Sequence, residues 1–216
     1  MDKSNEGFFC VLLGADGSGK TSLFNRMRQE RPGWKYVSAQ PFDLYPIRGL
    51  EYMSWALETH PREYVKRMPP LTRTLFFMKT LAIEYEYHIA PALASGSVVI
   101  CDSYFYRFMS KERVHNPATN GLFEVMRRYL PPPDLILWLD VPLAVAYRRK
   151  PTLSEFEVGG DYSQGGFVDF QREVLMYVSE MIEGLPVTFL NAERPPCEVL
   201  TAALEKIREA AVAGRA

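Results

Sequence analysis

The sequence predicts an α/β fold on a parallel sheet, and two patterns carry that prediction. Apolar runs of strand length occur at Phe8 to Leu13, around Tyr36 to Ala39, at Val98 to Cys101, at Leu135 to Leu139 and at Val187 to Leu190, with helical stretches between them. That alternation is the rhythm of crossover units, in which a helix returns the chain to lay the next strand alongside the last. Directly behind the first run stands Gly14-Ala15-Asp16-Gly17-Ser18-Gly19-Lys20-Thr21, which fits G-x-x-x-x-G-K-[ST] at a strand-to-helix junction. A buried strand feeding a glycine-rich turn and a helix supplies the backbone N–H groups and positive helix end that phosphate needs.

Each residue of this loop has a physical part. Gly14, Gly17 and Gly19 permit a tight turn with inward N–H groups, and Lys20 can reach the β- and γ-phosphates of ATP. Thr21 can offer its hydroxyl to Mg²⁺, and Ser18 completes the cradle. ATP and Mg²⁺ are therefore the expected co-substrate and metal.

The 216 residues are enough for one substantial core and too few for two comfortable ones, so residues 1–216 are read as a single domain. With 25 Lys plus Arg against 26 Asp plus Glu, no strongly basic field exists to hold a nucleic acid or an anionic membrane. Cys10, Cys101 and Cys197 lack metal-like spacing, and the first two lie in strand-like runs, which suits a reducing setting. Met1 to Gly7 is short and polar, with no apolar signal segment, and no long apolar stretch spans a membrane, so a cytoplasmic location is expected. His60, His88 and His115 stand apart without ligand spacing, which argues against structural zinc.

From Pro70 to Ser95 runs the longest predicted helix, with apolar residues recurring at three and four, Gly96 as its stop and Pro91 as a source of a kink or a lost hydrogen bond. Its apolar stripe suits a core helix or a homodimer interface. Val168 to Ile182 and Pro196 to Ala213 also read as helices. Two segments break the rhythm. Gln40 to Pro70, rich in Pro, Tyr and Arg, is placed over the carboxyl ends of the strands, and 151–166, with Gly159, Gly160, Gly165 and Gly166, reads as a lid; a plain solvent loop is the alternative for both.

Among charged residues, Asp102 emerges from the end of the Val98 to Cys101 run, where a carboxylate can hold a Mg²⁺-bound water or orient an acceptor oxygen. Asp140 reads as a helix cap or loop organiser. Arg148, Arg149 and Lys150 end the helix that follows Pro142, beside the lid, and Arg172 could join them.

Taken together, these residues resemble the thymidylate kinase family of nucleoside monophosphate kinases. The likeness covers nearly the whole chain: the phosphate loop, Leu75-Phe76-Phe77 leading the long helix, Val98 to Asp102, Pro133-Asp134-Leu135 through Pro142, Arg149, and Phe156-Glu157. The resemblance implies a P-loop kinase fold, a five-stranded parallel sheet flanked by helices on both faces with a small lid. It also implies transfer of the γ-phosphoryl group of Mg-ATP to dTMP. By the same resemblance Phe77 is the ring that stacks on the acceptor base, Asp16 the loop carboxylate near the acceptor, Asp102 and Tyr104 the acid and tyrosine of Asp-Arg-Tyr, and Arg149 the arginine bordering lid and adenine.

Three acceptor-side positions depart from the family pattern. Arg-Glu-Pro becomes Ala39-Gln40-Pro41, the arginine after the helix Phe becomes Leu81, and Asp-Arg-Tyr becomes Asp102-Ser103-Tyr104. A lost bidentate guanidinium is not replaced by serine or glutamine. Arg107, one helical turn beyond Ser103, is the candidate substitute, with Arg48, Arg67 and Arg73 as others. Three readings follow: a kinase of nucleoside monophosphates, a kinase of nucleosides or other small hydroxyl compounds in which Asp102 acts as general base, and a non-catalytic ATP-binding regulator.

Overall fold

A computed structural model of the chain describes residues 7–38 and 68–213. Five parallel strands, β1 (Phe8–Leu13), β2 (Lys35–Ser38), β3 (Val98–Asp102), β4 (Leu135–Asp140) and β5 (Val187–Asn191), form one sheet in the order β2-β3-β1-β4-β5. From β1 the chain goes out to the edge strand β2, returns to lay β3 between them, and then crosses β1 to add β4 and β5, which opens a crevice above the central strands. Ligands of open α/β sheets bind at that switch point. The phosphate loop follows β1 and so lies at its mouth.

Alternate residues of the strands feed two cores. Phe9, Val11 and Leu13 of β1 face a core shared with Val99, Cys101, Ile136 and Trp138, while Phe8, Cys10 and Leu12 face the opposite one with Ile100, Leu135, Leu137 and Leu139. This is why the central strands β1, β3 and β4 read as nearly unbroken apolar runs: both of their faces are covered. The first core is closed by α2 (Pro70–Glu84), α4 (Tyr104–His115), α5 (Asn120–Tyr129) and α8 (Gln164–Met181); the second by α1 (Lys20–Glu30), α6 (Leu143–Arg148) and α9 (Pro196–Ala213). The flanked five-stranded parallel sheet with its small lid is the architecture expected from the sequence.

Three boundaries differ from the sequence reading. The long helix is interrupted by a π-helical turn at Tyr85–Ile89 before resuming as α3 (Ala90–Ala94). Pro91 has no N–H to give, and the wider turn relieves the ladder upstream of it. Gly96, at φ 76°, then stops the helix with its N–H on the Leu93 carbonyl. Within the predicted lid, α7 (Glu155–Val158) forms a short turn of its own, and α8 begins at Gln164 because Ser163 caps it, its Oγ accepting from the Gly166 N–H at 3.0 Å. The second strand lies one residue earlier than expected, and Ala39, Gln40, Pro41, Arg48, Arg67 and the Gln40 to Pro70 segment up to residue 67 fall outside the described residues. Leu71 and Leu75 stay exposed on α2, the helix with the dimer-like stripe. Among the described residues, no helix is long and apolar enough to cross a membrane.

Candidate active site

The phosphate loop is a tight wrap that only glycine permits at its contact points. Gly14 adopts φ 136°, and a Cβ there would stand 2.6 Å from the Leu139 carbonyl oxygen. Gly17, at φ 79°, lies so close to α6 that a Cβ would overlap the Ala146 carbonyl. Both left-handed backbone and lost clearance oppose a side chain here. Gly17→Ala is therefore expected to cost about 3 kcal/mol in folding stability, read as a lowered urea midpoint without nucleotide.

Lys20 opens α1 and folds back under the loop. Its ammonium donates to the Gly14 carbonyl at 2.9 Å and the Ala15 carbonyl at 2.7 Å, with the buried Ser18 Oγ at 3.5 Å. Burial pulls Lys20 down to about 8, against the opposing charge of Asp102. Thr21 is exposed beside it. Asp102 ends β3 opposite Leu12 of β1, buried, and accepts from Ser103 Oγ at 2.8 Å. The chain leaves Asp102 through two non-glycine residues with positive φ, Ser103 at 69° and Tyr104 at 45°. Such conformations cost about 1–3 kcal/mol each and cluster at functional sites.

Asp16 is the hub of the site. Its carboxylate pairs with Arg107 through Oδ1 and with Lys111 through Oδ2 at 2.7 Å, two cations one turn apart on the same face of α4. Gln171 of α8 holds it from the other side: Gln171 Oε1 accepts from the Asp16 N–H and Nε2 donates to Asp16 Oδ2, both at 2.9 Å. Burial lowers Arg107 to about 10 and Lys111 well below the usual lysine range, the latter pushed further by the neighbouring Arg107 charge. Arg107 Nε is buried and has no acceptor among the described residues.

On the lid side, burial would raise Glu157, but Lys150 and Lys111 outweigh it and hold its carboxyl below the ordinary value. Lys150 Nζ donates to Glu157 Oε1 at 2.5 Å, and the Ser154 N–H and hydroxyl both donate to Oε2 at 3.0 Å. Arg149 is exposed and donates to the Ala192 carbonyl beyond β5 at 2.9 Å. Arg148 and Lys150 line a cavity of about 400 Å³ with Tyr147, Thr152, Leu153 and Tyr162. Arg172 pairs instead with Asp169 on the surface of α8.

The structure thus brings Asp16, Lys20, Asp102 and Arg107 together at the carboxyl ends of β1 and β3. Phe77 is buried in a separate ring cluster with Met68, Phe76, Phe108 and Phe156. Arg73 is committed to Glu112, donating from Nε at 2.8 Å, and Thr74 donates to the same carboxylate. Tyr104 lies in the core against Phe9, with its hydroxyl 3.4 Å from the Pro131 carbonyl. Asp140 is exposed, and its carbonyl accepts from the Ala192 N–H. Sequence reasoning missed Lys111 and Gln171; the i, i+4 spacing of Arg107 and Lys111 was a usable signal for the first.

The sheet order, the phosphate loop and the lid together define a P-loop nucleotide-kinase fold. No protein-family model matches the chain. A "Probable thymidylate kinase" of Pyrococcus horikoshii is 30% identical over 189 residues, spanning 83% of this chain and 85% of the relative. Another, from Staphylothermus marinus, is 26% identical over 153 residues (69% of this chain and 71% of the relative), and a "Thymidylate kinase" of Akkermansia muciniphila is 26% identical over 144 residues (67% of each). The chain belongs to the thymidylate kinase family.

Proposed function

We propose that this protein transfers the γ-phosphoryl group of Mg-ATP to the phosphate of a nucleoside monophosphate, dTMP in the first instance. The observation that carries this reading is the pair of cations, the buried Lys111 and the largely buried Arg107, set against Asp16 of the phosphate loop. They supply positive charge on the acceptor side, where two of the family's arginine positions hold Leu81 and Ser103. Asp16 offsets only one of these two charges, and Glu157 is paired with Lys150, so an anionic acceptor would balance the cation that remains whereas an uncharged one would not.

The residues present suit Mg-ATP. The loop offers inward backbone donors and a recessed ammonium, while Thr21 and Asp102 carry the hard oxygens that would hold Mg²⁺ directly or through its waters. The ion supplies charge neutralisation on the β- and γ-phosphates when bound. Lys20 and the loop N–H groups would orient the donor, Arg149 would border the adenine beside the loop after β5, and Arg107 with Lys111 would hold the acceptor phosphate in line. An ionised phosphate oxygen of the acceptor attacks the γ-phosphorus, the bond to the β–γ bridging oxygen breaks, and ADP leaves with those electrons. No general base is required, because the attacking oxygen already carries charge. Arg107, Lys111 and Lys20 stabilise the charge spread over the transferring group.

ADP release tests this directly, using Mg-ATP with dTMP, dUMP, other nucleoside monophosphates, the matching nucleosides and small alcohols, and Lys20→Ala as the blank. Lys20-dependent turnover on a monophosphate is expected. Turnover only on uncharged hydroxyl compounds would overturn the acceptor assignment and make Asp102 the base, and ATP binding without turnover on any compound would favour a regulatory protein.

A further inference from the structure

We propose that Gln171 is a positioning residue that couples the lid helix α7 to the phosphate loop through Asp16. Its amide oxygen and both of its N–H donors are engaged: Oε1 takes the Asp16 N–H, and Nε2 donates both to Asp16 Oδ2 at 2.9 Å and to the Glu157 carbonyl at 3.2 Å. The side chain is fully buried, so none of these bonds competes with water. Only a primary amide of this length supplies one acceptor and two donors on one rigid plane.

The two ends of this strap lie on different working parts. Asp16 Oδ2 already receives Lys111, and Gln171 fixes the carboxylate plane so that Oδ1 is left to Arg107. Glu157 belongs to α7, and its own carboxylate binds Lys150, whose stem packs beside Gly17 of the same loop. α7 is therefore tied to the loop through its backbone by Gln171, while its Glu157 carboxylate holds Lys150 beside Gly17. Orientation of the acceptor cations and seating of the lid become one event. Sequence position hides this, since Gln171 and Asp16 are 155 residues apart.

Three readouts test the coupling. The charged groups around the amide are Asp16 and Lys20 of the loop and first helix, Arg107 and Lys111 of α4, Lys150 after α6 and Glu157 of α7. Gln171→Met keeps the volume and removes all three bonds, whereas Gln171→Glu keeps the acceptor for Asp16 N–H and removes both donors at neutral pH. In the ligand-free protein, Gln171→Met is expected to lower the melting temperature, because buried polar groups lose their partners, and, under conditions where the variant is still folded, to raise backbone hydrogen exchange across 154–161 by about tenfold. With dTMP as acceptor, its acceptor KM is expected to rise about tenfold, with ATP KM within about twofold. Gln171→Glu sets two carboxylates in contact, which favours a shared proton; its acceptor KM is expected to fall back toward the wild-type value between about pH 8 and pH 6, while that of Gln171→Met stays flat. The kinetic arms rest on the kinase reading and the exchange arm does not, so absence of turnover in the wild-type protein overturns that reading and leaves exchange to judge the coupling. A folded Gln171→Met with native exchange across 154–161 overturns the proposal, as does an equal rise in both KM values.

Discussion

Lys20→Met is expected to lower turnover by at least about a hundredfold to a thousandfold, the range for removing a buried donor aimed at developing charge. The same substitution should change how stability depends on pH. Lys20 is buried and pulled down to about 8, so in the folded protein its charged form is disfavoured relative to the unfolded chain. Below about pH 8 both states hold the proton and the penalty is complete. Between about 8 and the ordinary lysine value of 10.5 the unfolded chain binds more protons than the native one, so wild-type stability rises with pH. The penalty removed across this window is about 3 kcal/mol. The stability difference between wild type and Lys20→Met should therefore move in favour of wild type from pH 7 to above pH 10, measured by urea unfolding without nucleotide. A difference that stays constant across that range would mean that the Lys20 ammonium is not desolvated by the loop.

Strong destabilisation at the phosphate loop is consistent with the way the fold is built around it. Gly14 and Gly17 pass against the backbones of β4 and α6, and Ser103 and Tyr104 take left-handed conformations immediately after Asp102. The strands beneath are covered on both faces and hold these features in place. Local strain and a buried charge both lie at the carboxyl edge of the sheet, where the proposed chemistry occurs.

This arrangement also explains what the sequence made legible. Strand runs and the loop motif are local signals: residues within a few positions of one another determine both, and their place in the fold follows from the crossover rule. The α4 and α8 contributions are different in kind. Arg107 could be proposed only as a substitute cation, and Lys111 carries no local signal beyond its i, i+4 spacing from Arg107, because nothing near either residue records that Asp16 lies opposite. Gln171 sits within an apolar-periodic helix, where a single polar residue carries no pattern. Likewise, Phe77 and Tyr104 were legible only as rings in a resemblance, and their burial in the ring cluster and in the core depends on partners distant in sequence. The π turn before Pro91 is the intermediate case. Proline marked the disturbance, but whether a helix answers with a kink or a wider turn is decided by what packs against it.

Arg107→Met is the second substitution with a large expected effect, and it separates structure from recognition. Asp16 would lose its arginine but keep Lys111 and Gln171, so the stability cost should be about 1.5–3 kcal/mol, that of a hydrogen bond to a charged group, rather than that of a charge left wholly unpaired. Acceptor KM should rise by about a hundredfold, while ATP, held by the loop N–H groups and Lys20, is affected far less. Arg107→Lys should recover part of the stability and little of the acceptor affinity, since an ammonium cannot present the planar fork that meets both Asp16 and a phosphate. Replacing Asp16 by Asn as well would be no remedy, because it would leave buried Lys111 without its carboxylate; the discriminating variant is Arg107→Lys. If acceptor affinity stays low in a stable Arg107→Lys variant, Arg107 acts on the acceptor itself; if affinity returns along with stability, its contribution is to hold Asp16, and the acceptor phosphate draws its charge from the neighbouring cations.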